Sequence, residues 1–271
     1  MKKFGIVINE LKDPDMKVTE RISSYLQSRG AVCVAVKDAR ELAEDVECML
    51  VLGGDGTMLQ AADGMAGKQI PMIGVNLGTL GYLTEIELEN LEEALEQLLQ
   101  GEYECDERIM LQGTIEGKDS VRELPPALND ISITRCGSLQ IIPLKISVNG
   151  QFLCKWNADG IIISTPTGST GYNMSAGGPI VEPGANLIVL TPICAHTLNA
   201  RSIILKGDGC VEIEIDSGHN GSILQVEANS DGSERIPMET GEKIYISKSK
   251  NITKIAKLSK VSFLEILHKK M

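Results

Sequence analysis

The sequence predicts an α/β domain with a parallel sheet, followed by a β-rich, sandwich-like domain. Two observations lead there. Strand-like and helix-like patterns alternate over the first hundred residues. After Tyr103 the helical periodicity disappears and short β-branched runs follow one another. Alternation of the first kind means parallel strands with helices on both faces, and runs of the second kind mean packed antiparallel strands.

The elements follow in order. Residues 4–8 read as a first strand. Val18, Ile22, Tyr25 and Leu26 fall at i, i+4, i+7 and i+8, an amphipathic helix stopped by Gly30. Residues 31–36 are a β-branched strand, and residues 39–44 a short helix. Met49, Leu50, Val51 and Leu52 form an apolar strand that runs into Gly53-Gly-Asp-Gly-Thr57, with a helix expected over 57–66. Residues 71–75 make a fourth strand. Over residues 88–101, Asn90 and Glu93 fit a capping box, Leu91, Ala94, Leu95, Leu98 and Leu99 form one stripe, and Gly101 is the stop. The β-rich part has strand-like runs at 109–115, 128–134, 141–148, 152–155, 161–164, 187–191, 202–206 and 211–215. Asn149-Gly150 is a type I′ hairpin signal and Gly207-Asp208-Gly209 a second turn. Phe263, Leu264, Ile266 and Leu267 suggest a terminal helix or tail.

Composition narrows the function. A net charge of −11 argues against a general binder of nucleic acid or anionic membrane, which needs a basic face. It leaves room for a phosphorylated small molecule held by backbone N–H groups and a divalent cation. No apolar stretch approaches a membrane span, and the N-terminal run is too short for a signal segment. The seven cysteines include no Cys-x-x-Cys pair and there are only three histidines, which argues against zinc. An odd count in apolar runs reads as buried free thiols in a reducing cytoplasm.

Gly53-Gly-Asp-Gly-Thr57 is the first site candidate. Strand, glycine turn and helix present N–H groups and a helix N-terminus to phosphate. The turn matches neither of the two best-known phosphate loops. Its distinguishing residue is Asp55, since a pure phosphate cradle avoids negative charge. Asp55 is a proton acceptor for a hydroxyl or a metal holder; the alternative is a local cap in a tight turn. Four further segments stand out. Gly74-Val-Asn-Leu-Gly-Thr-Leu-Gly-Tyr-Leu-Thr-Glu85 leaves the fourth strand. Asn129-Asp130 offers two polar groups to sugar hydroxyls, or forms an Asx turn. Residues 157–179 place Asp159 before a buried strand and a loop dense in glycine and hydroxyls after it, suited to a polyphosphate or nucleotide. In Cys194-Ala-His-Thr-Leu-Asn-Ala-Arg201, His196 and Arg201 are candidates for ligand contacts, but the expectation is a partly buried pair within the fold.

Together these segments resemble the NAD kinase family over nearly the whole chain. The Gly-Gly-Asp-Gly turn alone is shared with lipid kinases and phosphofructokinases, whereas the block from Asp159 to Pro179 in this order is specific. The chain departs from the family at Asp130, where Glu is usual, at Gly171, where Ala is usual, at Ala195 and Ser202, where Pro is usual, and at Ser233, where Gln follows Asp-Gly. The resemblance implies transfer of the γ-phosphoryl group of ATP to the 2′-hydroxyl of the adenosine ribose of NAD, giving NADP. It implies Asp55 as proton acceptor and Gly53, Gly54, Gly56 and Thr57 as the phosphate-binding turn. It implies NAD contacts from Asp55, Gly56, Asn129, Asp130, Asn157, Asp159, Thr170, Gly171, Tyr172, Asn173 and Ser175. Mg²⁺ would be carried by ATP, with no dedicated protein site. The partners are nucleotides, not nucleic acid or membrane, and the chain is expected to form a homo-oligomer, a dimer or tetramer, with sites shared between subunits. The domains are expected at 1–103, rejoined by a tail at 250–271, and at 104–249. The alternatives are a diacylglycerol-type lipid kinase of the same superfamily and a non-catalytic dinucleotide-sensing module.

Overall fold

The structure is a computed structural model describing all residues except 79, 80, 138, 139, 234 and 271. In chain order the elements are β1 (Lys3–Val7), α1 (Lys17–Ser28), β2 (Val32–Val36), β3 (Cys48–Gly53), α2 (Asp55–Gly64), β4 (Met72–Asn76), β5 (Thr84–Ile86), α3 (Leu91–Gln100), β6 (Glu104–Glu116) and β7 (Val121–Glu123). They continue with β8 (Asp130–Arg135), β9 (Ile142–Val148), β10 (Gln151–Ala158), β11 (Gly160–Ser164), α4 (Tyr172–Ser175), β12 (Leu187–Ile193) and β13 (Ile203–Lys206). The last are β14 (Val211–Ile215), β15 (Gln225–Ser230), β16 (Arg235–Glu239), β17 (Lys243–Lys257) and α5 (Phe263–Lys270). The chain folds as two compact units, Met1–Arg108 together with the segment from Ile252 onward, and Ile109–Asn251.

In the first unit the strands lie in the order β17-β4-β3-β1-β2, all parallel, with β5 added to β4. All six residues of β3 are buried, as a parallel strand covered on both faces requires. The apolar stripes of α1 (Ile22, Leu26) and α3 (Leu91, Leu95, Leu98) join Phe4, Ile6, Leu50, Leu52, Ile73 and Val75 in one core. The chain runs from β1 outward to β2, then returns to β3 on the other side of β1. The strand order therefore reverses between β1 and β3, the position where open α/β sheets bind ligands beyond the strand ends.

Local details refine the sequence reading. The helix after the glycine turn begins at Asp55, two residues earlier than expected. The capping box at Asn90 does not form: its side chain caps nothing, because a 3₁₀ turn over Leu88–Asn90 leads straight into α3. Gly101 ends α3 with positive φ, as expected. The helix expected after β2 is a single 3₁₀ turn, Ala39–Glu41. All seven cysteines are free thiols, but only Cys48 is buried.

The second unit holds two antiparallel sheets. One runs β10-β9-β14-β17, with β6 on β17 and β7 on β6. The other runs β13-β12-β11-β8-β15-β16. Their facing residues share one core, including Leu144, Ile146, Val211, Ile213 and Ile244 from the first sheet and Ile131, Ile133, Ile161, Ile163, Ile188, Leu190 and Val226 from the second. That is a β-sandwich. Asn149 and Gly150 both have positive φ and close the β9–β10 hairpin. Strands β15, β16 and β17 were not legible in the sequence, because polar and charged residues interrupt their apolar alternation.

Candidate active site

Each unit carries one constellation of the residues singled out above. In the first, Gly53 ends β3 and Gly54 is the N-cap of α2, in extended backbone. The first N–H groups of α2 have no partner within the helix and carry its positive dipole end. Asn9, from the loop after β1, donates its amide to the Thr57 hydroxyl at 2.9 Å, so the two strand ends flanking the switch point are tied together. Asp55 stands at the first helical position and is half-buried. Its two carboxylate oxygens accept the N–H groups of Leu83 (2.9 Å) and Tyr82 (2.8 Å). A Cβ on Gly81 would stand 2.6 Å from the Asp55 Cγ, so only glycine lets this loop approach the carboxylate. The glycine-rich stretch leaving β4 thus wraps Asp55; its residues 79 and 80 lie outside the described residues. The Lys12 ammonium reaches the same loop, 3.3 Å from where a Gly78 Cβ would be.

In the second unit, the turn at Leu128, Asn129 and Asp130 enters β8, which lies between β11 and β15. Both neighbours hold it. On the β11 side, Thr165 donates its N–H to the Asn129 carbonyl (2.8 Å) and its hydroxyl to the Leu128 carbonyl (2.6 Å). On the β15 side, the Asp231 carboxylate accepts the N–H groups of Leu128 (2.6 Å), Asn129 (2.9 Å) and Asp130 (2.9 Å). Asp130 itself is 7% exposed. Burial raises its carboxyl to about 7, and the charge of Asp231 adds to the shift. Burial also raises the Tyr172 phenol, reinforced by the charges of Asp130, Cys194 and Asp159.

The loop after β11 is built by its own side chains. Thr167–Thr170 is a 3₁₀ turn followed by α4. Asn173 is fully buried: its amide donates to the Ser169 and Pro179 carbonyls and accepts the Thr191 hydroxyl. Thr170 and Gly171 are half-buried, while Tyr172 and Ser175 are exposed. Asn157 is exposed and Asp159 is half-buried, ion-paired to Arg135 at 3.5 Å. Asp159 precedes β11, whereas Asp130 pairs with Ser164 at the far end of that strand. The two acids are therefore a strand length apart, roughly 15 Å or more.

His196 and Arg201 are exposed, contrary to expectation, and line a cavity of about 520 Å³ with Gly177, Thr191 and Cys194. They do not pair with each other: the Arg201 guanidinium donates to its neighbour Ala200's carbonyl. Cys194, at the start of this segment, has left-handed backbone. Two residues of these constellations were missed from sequence, Lys12 and Asp231. For Asp231 the signal was its Asp-Gly pair, which follows the family pattern up to Ser233 but gives no hint of the turn it holds. Among the described residues, no three His, Cys, Asp or Glu side chains converge as a metal cage, and no helix is long and apolar enough to cross a membrane.

A helix N-terminus aimed past a glycine turn, with one carboxylate beside it, is suited to phosphoryl transfer, where positioning and electrostatics do most of the work. The class defined is a phosphotransferase. Residues 34–103 match the model of the ATP-NAD kinase N-terminal domain, and residues 128–258 that of the ATP-NAD kinase C-terminal domain. The NAD kinase of Lachnospira eligens is 44% identical, with both chains covered completely. That of Agathobacter rectalis is also 44% identical, over 100% of this chain and 99% of the relative. Among solved structures, yeast NADH kinase complexed with NADH superposes with a TM-score of 0.85 at 23% identity, covering 100% of this chain and 87% of the other. An NAD kinase from Archaeoglobus fulgidus in complex with ATP gives 0.80 at 23% identity, covering 100% and 98%. The chain belongs to the NAD kinase family.

Proposed function

We propose that this chain transfers the γ-phosphoryl group of ATP to the 2′-hydroxyl of the adenosine ribose of NAD. The hydroxyl oxygen forms a bond to Pγ, the bond from Pγ to the β–γ bridging oxygen breaks, and ADP and NADP leave. The observation that carries this reading is Asp55 at the N-terminus of α2, in a chain matching both family domains. Asp55 accepts the proton of the attacking hydroxyl. Each of its oxygens already takes one N–H and keeps a further lone pair for that role. Gly53, Gly54, Gly56 and Thr57 present the helix end to phosphate. Mg²⁺ bound to the ATP phosphates would neutralise charge developing on them.

Asn129 and Asp130 accept the ribose hydroxyls. Thr170, Gly171, Tyr172 and Ser175 surround the adenine, in a loop whose shape Asn173 fixes. Asn157 and Asp159 meet the other nucleoside. Because Asp159 and Asp130 mark opposite ends of β11, a site using both needs a long ligand or a second subunit. We infer a homo-oligomer, a dimer or tetramer, with shared sites. Sedimentation at assay concentration should show it, and a fully active monomer would overturn it. Seven free thiols fit a cytoplasmic setting.

The test is incubation of the purified chain with NAD, ATP and Mg²⁺, followed by an NADP-specific enzymatic assay. NADP should form, and chelation of the metal should stop it. Phosphorylation of diacylglycerol without NADP formation would sink the reading.

A further inference from the structure

We propose that Asp231 is a positioning residue for dinucleotide binding, holding the Asn129–Asp130 turn in place through that turn's backbone N–H groups. The proposal rests on the reading of Asn129 and Asp130 as ribose contacts. Its basis is a register. Strand β15 pairs with β8 so that Ser230 lies opposite Ile131. The hairpin from β15 to β16 turns at Asp231 and Gly232, both with positive φ. Asp is among the few residues that tolerate that backbone, and its short side chain then points at the start of β8. Three successive N–H groups converge on one carboxylate, a backbone nest filled from within the chain. In return the Asp231 N–H donates to the Asp130 carbonyl at 3.0 Å.

The arrangement has a second effect. Asp231 places a negative charge beside Asp130, a nearly buried carboxyl for which no side-chain hydrogen bond exists among the described residues. Ser164 lies opposite Asp130 on β11, and Tyr172 of α4 lies within its field. No cation faces it in that set. A diol donating to Asp130 favours the ionised form, whereas Asp231 favours the protonated one. Binding of the nucleoside therefore strengthens as pH rises through neutrality.

Asp231→Asn keeps the size and tolerates the left-handed backbone, but it turns an NH₂ toward one of the three N–H donors. The KM for NAD should rise about tenfold, the scale of one lost charge-assisted hydrogen bond, with the KM for ATP little changed. The acid limb of kcat/KM for NAD should move to lower pH, because the like charge is gone. Asp231→Gly fits the same φ and empties the nest, so added formate should restore NAD binding in it. A purely structural residue would show neither the pH shift nor the rescue. A wild-type KM for NAD with an unmoved pH profile in Asp231→Asn, or no formate rescue in Asp231→Gly, overturns the proposal. Asp130→Asn separates it from the reading beneath: a wild-type KM for NAD there overturns the ribose assignment itself.

Discussion

The main chain of Gly168 lies directly against the main chain of Asn129. A Cβ on residue 168 would stand 2.7 Å from the Asn129 Cα and nearer still to its carbonyl group. Both partners are backbone, so neither can swing aside as a side chain would. Gly168 also donates its N–H to the Thr165 hydroxyl, which in turn holds the Leu128 carbonyl. The loop after β11 and the turn before β8 are thus locked together by one absent methyl group.

Gly168→Ala should therefore force the two segments apart. Overpacking of this kind costs about 1–3 kcal/mol, measurable by urea denaturation. The KM for NAD should rise more than the KM for ATP, since the displaced turn carries Asn129 and Asp130. Unchanged stability and unchanged KM would mean that the contact relaxes without consequence.

Asp55 has two jobs that one substitution can tell apart. As proton acceptor, its loss in Asp55→Asn should lower turnover by about 10² to 10⁴ with NAD binding little changed. As the anchor of Tyr82 and Leu83, it should also lower stability by about 1 kcal/mol, since an amide offers one acceptor where two N–H groups need two. Gly81→Ala pushes the loop off the carboxylate but leaves the carboxylate intact. If Asp55 is the base, Gly81→Ala must retain far more turnover than Asp55→Asn. Equal losses would reduce Asp55 to a loop anchor.

The C-terminal segment reaches the same loop. The Glu85 carboxylate accepts the N–H groups of Leu258 (3.2 Å) and Ser259 (2.7 Å), and the Lys270 ammonium sits 4.3 Å from the centroid of the Tyr82 ring. Helix α5 buries no residue, and its Leu264 is 71% exposed. Truncation after Ser262 removes half-buried side chains and a cation–π contact and should cost about 1 kcal/mol. Glu85→Ala leaves two backbone donors without their acceptor and should cost about 1–3 kcal/mol. The reverse order of effects, measured by thermal unfolding, would show that α5 is packed more firmly than its exposure implies.

How much of this was legible in the sequence depends on how each element announces itself. Strand β3 did so fully: four consecutive apolar residues followed by glycines can hardly be anything but a buried strand ending in a tight turn. The stripe of α3 was equally plain, although its expected cap at Asn90 was replaced by a 3₁₀ turn. Strand β17 was hidden because Lys, Ser and Asn populate half its positions, a pattern that also fits a loop. The site divided the same way. Asp55 stood out because a carboxylate among glycines conflicts with phosphate binding. Asp231 did not, because its work is done on backbone N–H groups about a hundred residues earlier in the chain, a pairing set by the register of β15 on β8. A single sequence records residue types and local spacing, not which strand lies beside which.

Asp130 should make the protein less stable as the solution becomes more basic. Burial, and then the charge of Asp231, raise its carboxyl in the folded state to about 7. In the unfolded chain the same group titrates near the usual value of about 3.9. Between those limits the folded protein retains a proton that the unfolded chain has released, so this group's contribution to stability falls as pH rises from about 4 to about 7. Above that range both states are ionised and the penalty is constant. Asp130→Asn removes the penalty while keeping the shape. The variant should be more stable than the wild type by a few kcal/mol near pH 8, with the margin shrinking toward pH 4. Its KM for NAD should meanwhile rise, because an amide is a poorer acceptor for a ribose diol than a carboxylate. Urea unfolding of both proteins across that pH range is the measurement. A margin independent of pH would show that Asp130 titrates normally and that its burial is relieved by solvent. A variant both more stable and less able to hold NAD would mark Asp130 as a residue kept at the expense of stability for the sake of binding.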